Sequence, residues 1–82
     1  MPVSRLIELA KIILRQRKAS DADTLSCIDC LLTIPRKQIP AMRSLRHFAH
    51  DLLDYFLGVS TRCEVHHPQA ARYIRKWKRT WQ

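Results

Sequence analysis

The sequence predicts an all-α fold: a compact bundle of about four short helices, forming a single basic helical domain over residues 1–82. The chain has one glycine and no asparagine, so it lacks the residues with which the turns of all-β proteins are usually built. Its hydrophobic share of 46% is sufficient for a folded core, and the hydrophobic residues recur at helical spacing. Domains of this size bury a small core and often need a metal, a disulfide or a second subunit.

The first helix is predicted over residues 4–18, with Ser4 as its N-cap. Charged residues occupy one side of this segment, and Ile12 falls outside the apolar stripe. The stripe that should face the core follows the spacing of one helical face and consists of Leu6, Leu9, Ala10, Ile13 and Leu14.

The second helix is predicted over residues 22–34. Ser20 or Asp21 is expected to cap it, because both side chains accept hydrogen bonds from the free N–H groups of a first turn. Pro35 should end it, since the residue before a proline is disfavoured in helical geometry. The expected core face consists of Leu25, Ile28, Leu31 and Leu32.

The third helix is the clearest in the sequence and is predicted over residues 40–57. Pro40 suits its first turn and Gly58 suits its C-terminal cap. Residues 58–67 are predicted to form a loop. The broad apolar face expected to lie in the core consists of Met42, Leu45, Phe48, Ala49, Leu52, Leu53 and Phe56.

The fourth helix is predicted over residues 68–81, beginning at Pro68. Its aromatic residues Tyr73 and Trp77 share the apolar side with Ile74, so they are assigned to the core rather than to base stacking. The other side is basic and consists of Arg72, Arg75, Lys76, Lys78 and Arg79.

The charge is strongly asymmetric, with 15 Lys plus Arg against 7 Asp plus Glu and a formal net charge of +8. Such an excess favours a polyanionic partner. Some of the bases lie at helix C-termini, where the helix dipole favours cations. That explanation fails for Arg43 and Arg46 in the first half of the third helix, and the fourth helix carries bases without any acid. The residues predicted to contact nucleic-acid phosphates are Arg43, Arg46, His47, Arg72, Arg75, Lys76 and Arg79.

A small regulatory protein that binds DNA or RNA mainly through phosphates is therefore the preferred functional interpretation, and the sequence does not distinguish the two nucleic acids. The first alternative is an adaptor or inhibitor that docks on an acidic protein. The second is binding to an anionic membrane surface. The basic surface could also have no binding partner and simply be exposed to solvent. A homodimer is also expected, because Ile12, Met42 and Trp81 leave apolar surface unused.

The cysteines allow two interpretations. In LSCIDCLL (residues 25–32) two cysteines lie three apart, and in RCEVHH (residues 62–67) a third precedes two histidines. Four such ligands suit zinc, and the set would be Cys27, Cys30, Cys63 and His66, or His67 in its place. The cysteines of the first segment lie among leucines on a predicted helix, so burial as small hydrophobic residues is preferred. No other cofactor is expected.

No catalytic constellation stands out, and the protein is predicted not to be an enzyme. Asp51 and Asp54 are expected to face solvent and to balance Arg43 and nearby histidines. An odd cysteine count and the absence of a secretory signal favour an intracellular location. The first twenty residues also resemble a transit peptide, although Glu8 and their helical pattern argue against that. No run is long enough to cross a bilayer.

Overall fold

The computed structural model describes residues 2–81, and over this range the chain forms five α-helices and one turn of 3₁₀ helix and has no strand. The predicted all-α bundle is confirmed. The 3₁₀ turn spans Arg36–Gln38, between the second and third helices. The α-helices are α1 (Pro2–Gln16), α2 (Asp21–Leu32), α3 (Met42–Phe56), α4 (Arg62–His66) and α5 (Pro68–Trp81).

The four longer helices pack around one core, each mainly against two others, in the order α1, α2, α5, α3 and back to α1. The short helix α4 packs against α3 and α5. The bundle measures 29 × 24 × 20 Å. Its innermost side chains come from every α-helix; the largest of them are Phe48, Leu6, Leu14, Leu31, Leu45, Leu52, Leu53 and Ile74.

Several local predictions are confirmed. The whole predicted stripe of α1 is buried, and Ile12 outside it is 45% exposed. The Ser20 side chain caps α2 by accepting a hydrogen bond from the Asp23 amide at 3.1 Å. Gly58 follows α3 with φ 75, the left-handed conformation that glycine adopts without steric cost.

The bounds of α1, α2 and α3 differ from the predictions at both ends, and α2 ends at Leu32 rather than at the residue before Pro35. The first helix begins at Pro2, so Ser4 lies inside it and is not its cap. The third helix begins at Met42, two residues after Pro40. The segment predicted as a loop contains α4, a five-residue helix whose short length leaves no apolar periodicity to detect.

The predicted core face of α2 is partly wrong. Leu25 and Leu32 are 68% and 58% exposed, and the buried residues of this helix are Cys27, Cys30 and Leu31. At 100° per residue the two cysteines lie nearly opposite Leu25 and Leu32, so a helix packed on one side buries only one of the two sets. Met42, at the first position of α3, is likewise exposed.

Candidate nucleic-acid interface

Helix α5 divides into an apolar side and a basic side. Ala70, Ala71 and Ile74 are buried in the core, and Tyr73 and Trp77 pack against it. No acidic residue occurs between residues 68 and 81. On the side opposite the core, four exposed bases project from successive turns: Arg72, Arg75, Lys76 and Arg79. We define these four residues as the α5 basic face.

The α5 basic face lines an open hollow of about 350 Å³, together with Gln69 and Tyr73. Arg72, Lys76 and Arg79 are spaced i, i+4 and i+7, which extends over about 10 Å of the helix axis. That length corresponds to about three phosphate steps along one strand of a B-form duplex. The face therefore presents a short row of cations to solvent.

Arg75 is held in place by neighbouring helices. Its Nη1 donates a hydrogen bond to Tyr55 Oη at 3.2 Å, and that hydroxyl donates to Glu64 Oε1 at 3.1 Å. The hydrogen bond to Tyr55 also raises the pKa of Arg75. Within residues 2–81, the other three bases of the α5 basic face form no ion pair.

Lys78 is the exception among the bases of α5. Its ammonium donates a hydrogen bond to the Phe56 carbonyl at the end of α3 and lies 4.9 Å from the centroid of the Phe56 ring. The last carbonyls of a helix lack partners within it, so Lys78 satisfies an otherwise free acceptor. Lys78 therefore fastens α5 to α3 and does not belong to the outer basic side on which the sequence placed it.

A second basic group lies near the start of α3. Arg43, Arg46 and His47 are exposed, and across residues 2–81 none of them forms an ion pair. The charge toward the other end of α3 is neutralised, because Asp54 pairs with Arg17 after α1 rather than with Arg43 as predicted. The positive charge of α3 is therefore confined to its first half.

The two basic groups are separate. Tyr55, which accepts the hydrogen bond from Arg75, follows Arg43 by twelve residues of α3. Twelve helical residues extend about 18 Å along the axis and turn by about 120° around it. The predicted site residues thus form two patches on the surface, of which the α5 basic face contains four and the α3 group three.

Asp51 is buried, contrary to the prediction that it faces solvent. It is 9% exposed, and its Oδ2 lies 3.3 Å from His66 Nδ1 and 3.3 Å from His67 Nε2. The His67 ring also packs edge-on against Phe48 at a centroid distance of 4.9 Å. Asp51 therefore joins α3 to the junction of α4 and α5, and this cluster stabilises the fold beneath α5.

The three cysteines are free thiols with no exposed surface, so the predicted burial of Cys27 and Cys30 is confirmed. Burial raises the pKa of Cys27 and of Cys30 to about 12 and that of Cys63 to about 11. Zinc binds thiolates, and with no metal bound these raised pKa values keep the three thiols protonated near neutral pH. Cys63 Sγ instead lies 3.8 Å from the His67 carbonyl oxygen, and His66 contacts Asp51.

Within the part of the chain that the structure describes, no three His, Cys, Asp or Glu side chains are placed to hold a metal ion together.

The sequence analysis did not predict the hydrogen bonds that link Arg75, Tyr55 and Glu64, nor the cluster at Asp51. Their members are separated by 9 to 20 residues. No local pattern signals such contacts.

None of the helices within residues 2–81 combines the length and apolar character needed to cross a membrane. No protein-family model, curated protein or solved structure matches the chain. A functional hypothesis for this chain therefore rests on the geometry of the two basic patches.

Proposed function

We propose that the protein is a small, non-enzymatic regulatory protein that binds nucleic acid mainly through phosphate contacts. The α5 basic face makes the principal contacts, and Arg43, Arg46 and His47 on α3 add a second set. The observation that carries the proposal is the α5 basic face itself: four exposed bases on one side of a helix that contains no acid. Phosphate contacts of this kind position a protein on a strand and read no sequence.

The packing of α5 favours nucleic acid over a membrane surface. A helix that lies in a membrane interface inserts its apolar side among the acyl chains. The apolar side of α5 is occupied by the core, since Ala70, Ala71 and Ile74 are buried and Trp77 packs on them. Only Trp81, which is 69% exposed and stacks on Trp77 at 5.4 Å, extends beyond that contact.

The composition of the face also favours nucleic acid over an acidic protein. Protein interfaces concentrate their binding energy in buried aromatic or aliphatic anchors surrounded by polar residues. The α5 basic face consists of four bases alone, so it provides no aliphatic anchor, and the neighbouring aromatic residue Tyr73 is half-buried. A row of cations without an anchor suits a partner whose recognition is electrostatic.

Fluorescence anisotropy with labelled single- and double-stranded DNA and RNA tests the proposal. We expect binding at low salt to at least one of these probes, with an affinity that falls linearly on logarithmic axes as salt rises. If the four bases of α5 each neutralise one duplex phosphate, the slope is about −3.6, and contacts from α3 make it steeper.

Two further measurements distinguish nucleic-acid binding from membrane binding. A raised 260/280 absorbance ratio in purified protein would add support, because it reports nucleic acid carried through purification. Pelleting with vesicles of anionic phospholipid tests the membrane alternative. Binding to those vesicles without binding to any nucleic-acid probe would contradict the proposal, as would a complete lack of binding at low salt.

A further inference from the structure

The outer face of α2 carries apolar side chains that the fold leaves uncovered. Leu25 and Leu32 are 68% and 58% exposed, and Ile28 between them is half-buried. Their spacing of i, i+3 and i+7 places all three on one side of the helix. Single exposed leucines are ordinary, but three apolar residues in one line on a surface are typical of an interface. We call Leu25, Ile28 and Leu32 the α2 seam.

The charges of α2 exclude the partner proposed for α5. Asp21 lies on the same side as the α2 seam, Asp29 lies at its edge, and Asp23 also belongs to this helix. No base occurs from residue 19 to residue 35. An acidic, apolar surface repels nucleic acid, so its occupant must be a protein surface that offers apolar contact and positive charge.

A second copy of the chain meets that requirement. The exposed bases Arg36 and Lys37 lie in the 3₁₀ turn that follows the C-terminal end of α2, whereas Asp21 and Asp23 lie at its N-terminal end, so bases follow one end of the helix and acids begin the other. We propose that two copies pair through the α2 seam about a two-fold axis near Ile28, with the two α2 helices antiparallel. In this arrangement Leu25 of each copy lies against Leu32 of the other, and Asp21 lies near the Arg36–Lys37 end of the other.

The charge pattern selects the antiparallel orientation. A parallel pair would bring the two copies of Asp21 together and also the two copies of Asp29. Antiparallel pairing separates the Asp21 carboxylates by about 22 Å along the helices and opposes the two helix dipoles. The two Asp29 side chains remain close at the edge of the seam, so they oppose association and offer a variant that should strengthen it.

The proposed interface is small. A helix of 12 residues extends about 18 Å, and a pair of such helices buries less than the roughly 1,200 Å² that marks the lower end of stable interfaces. The dimer should therefore dissociate on dilution. Sedimentation velocity on the full chain, from low micromolar to millimolar concentration, should show the mass rising from 9.7 kDa toward twice that value. A mass that stays at the monomer value throughout would overturn the proposal.

Paired variants locate the interface. Leu25→Glu with Leu32→Glu should raise the dissociation constant by more than about tenfold, because it places charges in the seam. The matched control is Val59→Glu with Val65→Glu, which adds the same charge at side chains that are 68% and 79% exposed elsewhere. The control should dimerise nearly as the unchanged chain does, and circular dichroism should show both variants folded. Equal loss of dimer in the two variants would overturn the assignment to α2.

Disulfide cross-linking reports the orientation. The variants Leu25→Cys and Leu32→Cys should cross-link when mixed, because the antiparallel pair brings these positions together. Each variant alone should not, since like positions are offset by about 10 Å along the helices, beyond disulfide reach. The native thiols are fully buried and do not compete. Efficient cross-linking of either variant alone would contradict the antiparallel pair.

Asp29→Asn removes the repulsion between the two Asp29 side chains and should tighten the dimer.

Discussion

Helices α2 and α5 pack against each other and contribute to the same core, but their outer faces differ in charge and in apolar content. The outer face of α2 exposes Leu25 and Leu32 beside aspartates, without a base in the helix. The α5 basic face exposes four bases without an acid in the helix. One bundle thus carries an apolar surface beside acids and a separate basic surface, for which we propose a second copy and nucleic acid as the respective partners.

The inner faces differ as well. Helix α2 contributes two cysteines and one leucine to the core, whereas α5 contributes two alanines and one isoleucine. Lys78 adds a polar attachment to α5, through the Phe56 carbonyl. Comparing inner with outer positions on each helix therefore separates residues that hold the fold together from residues that are free to bind.

Neighbouring leucines of α2 should show the largest contrast in stability. Leu31 is 2% exposed and Leu32 is 58% exposed. Leu31→Ala should lower the free energy of unfolding by about 2–5 kcal/mol because it leaves a cavity in the core. Leu32→Ala should change it by about 0.5 kcal/mol or less. Urea denaturation at low protein concentration measures both, and similar losses at the two positions would show that the inner face is misassigned.

The buried thiols of α2 predict a loss of stability at high pH. The pKa of Cys27 and of Cys30 is about 12 in the folded chain, against an ordinary value of 9.0. A thiol with a raised folded pKa favours the folded state below pH 9, and this contribution is lost as pH rises toward 12. Each such thiol should reduce the free energy of unfolding by about 1.4 kcal/mol per pH unit within that window.

Urea denaturation from pH 8 to pH 11 measures the slope. The control is Cys27→Ala with Cys30→Ala, which removes both groups and should flatten the decline, while the other titrating residues remain. A thiol reagent should also fail to modify the native protein near pH 8 and should react fully in denaturant. Rapid modification of Cys27 or Cys30 in the folded chain would show that these thiols are accessible.

Two lysines of α5 should affect different properties. Lys78→Ala removes the contact with Phe56 and should cost about 1 kcal/mol of folding stability, with little effect on nucleic-acid binding. Lys76→Ala should leave stability nearly unchanged and should reduce the magnitude of the salt slope of binding by about 1. Denaturation and anisotropy on both variants test the separation, which fails if Lys78→Ala reduces the salt slope as much as Lys76→Ala.

Two serines should show the smallest contrast. Ser20→Ala removes the cap of α2 and should lower the free energy of unfolding by about 1 kcal/mol. Ser4→Ala changes an exposed position inside α1 and should stay within about 0.5 kcal/mol of the unchanged chain. Thermal denaturation compares them, and a larger loss at Ser4 would restore it as the cap that the sequence predicted.

Strong periodicity made the cores of α1 and α3 predictable. All five residues of the α1 stripe are buried, because polar side chains occupy its other side and leave one choice of inner face. In α2, apolar residues occur on both sides, so spacing alone did not decide between Leu25 with Leu32 and Cys27 with Cys30. Packing against α1 and α5 decided it, and that information is not local.

The candidate site was predictable in composition but not in contacts. The absence of acids from residues 68–81 indicated the basic character of the fourth helix, and helical spacing indicated its outer side. The inward contact of Lys78, the bond from Arg75 to Tyr55 and the burial of Asp51 each join residues from different helices. Such contacts depend on how the helices pack, which the sequence pattern does not contain.

Binding of nucleic acid by a chain whose α5 basic face has its charge reversed shows whether that face makes the principal contacts. The variant is Arg72→Glu with Lys76→Glu and Arg79→Glu. The control is Lys11→Glu with Arg15→Glu and Lys18→Glu, which changes the net charge equally at exposed bases outside α3, α5 and the proposed dimer interface. Circular dichroism and thermal denaturation should show that both variants remain folded.

The α5 variant should lose about a hundredfold in affinity at low salt, or about 2.7 kcal/mol, and its salt slope should become shallower. The control should bind within a few fold of the unchanged chain. Equal weakening of both variants would show that net charge alone governs binding. Unaltered binding by the folded α5 variant would contradict the assignment of the α5 basic face as the principal interface.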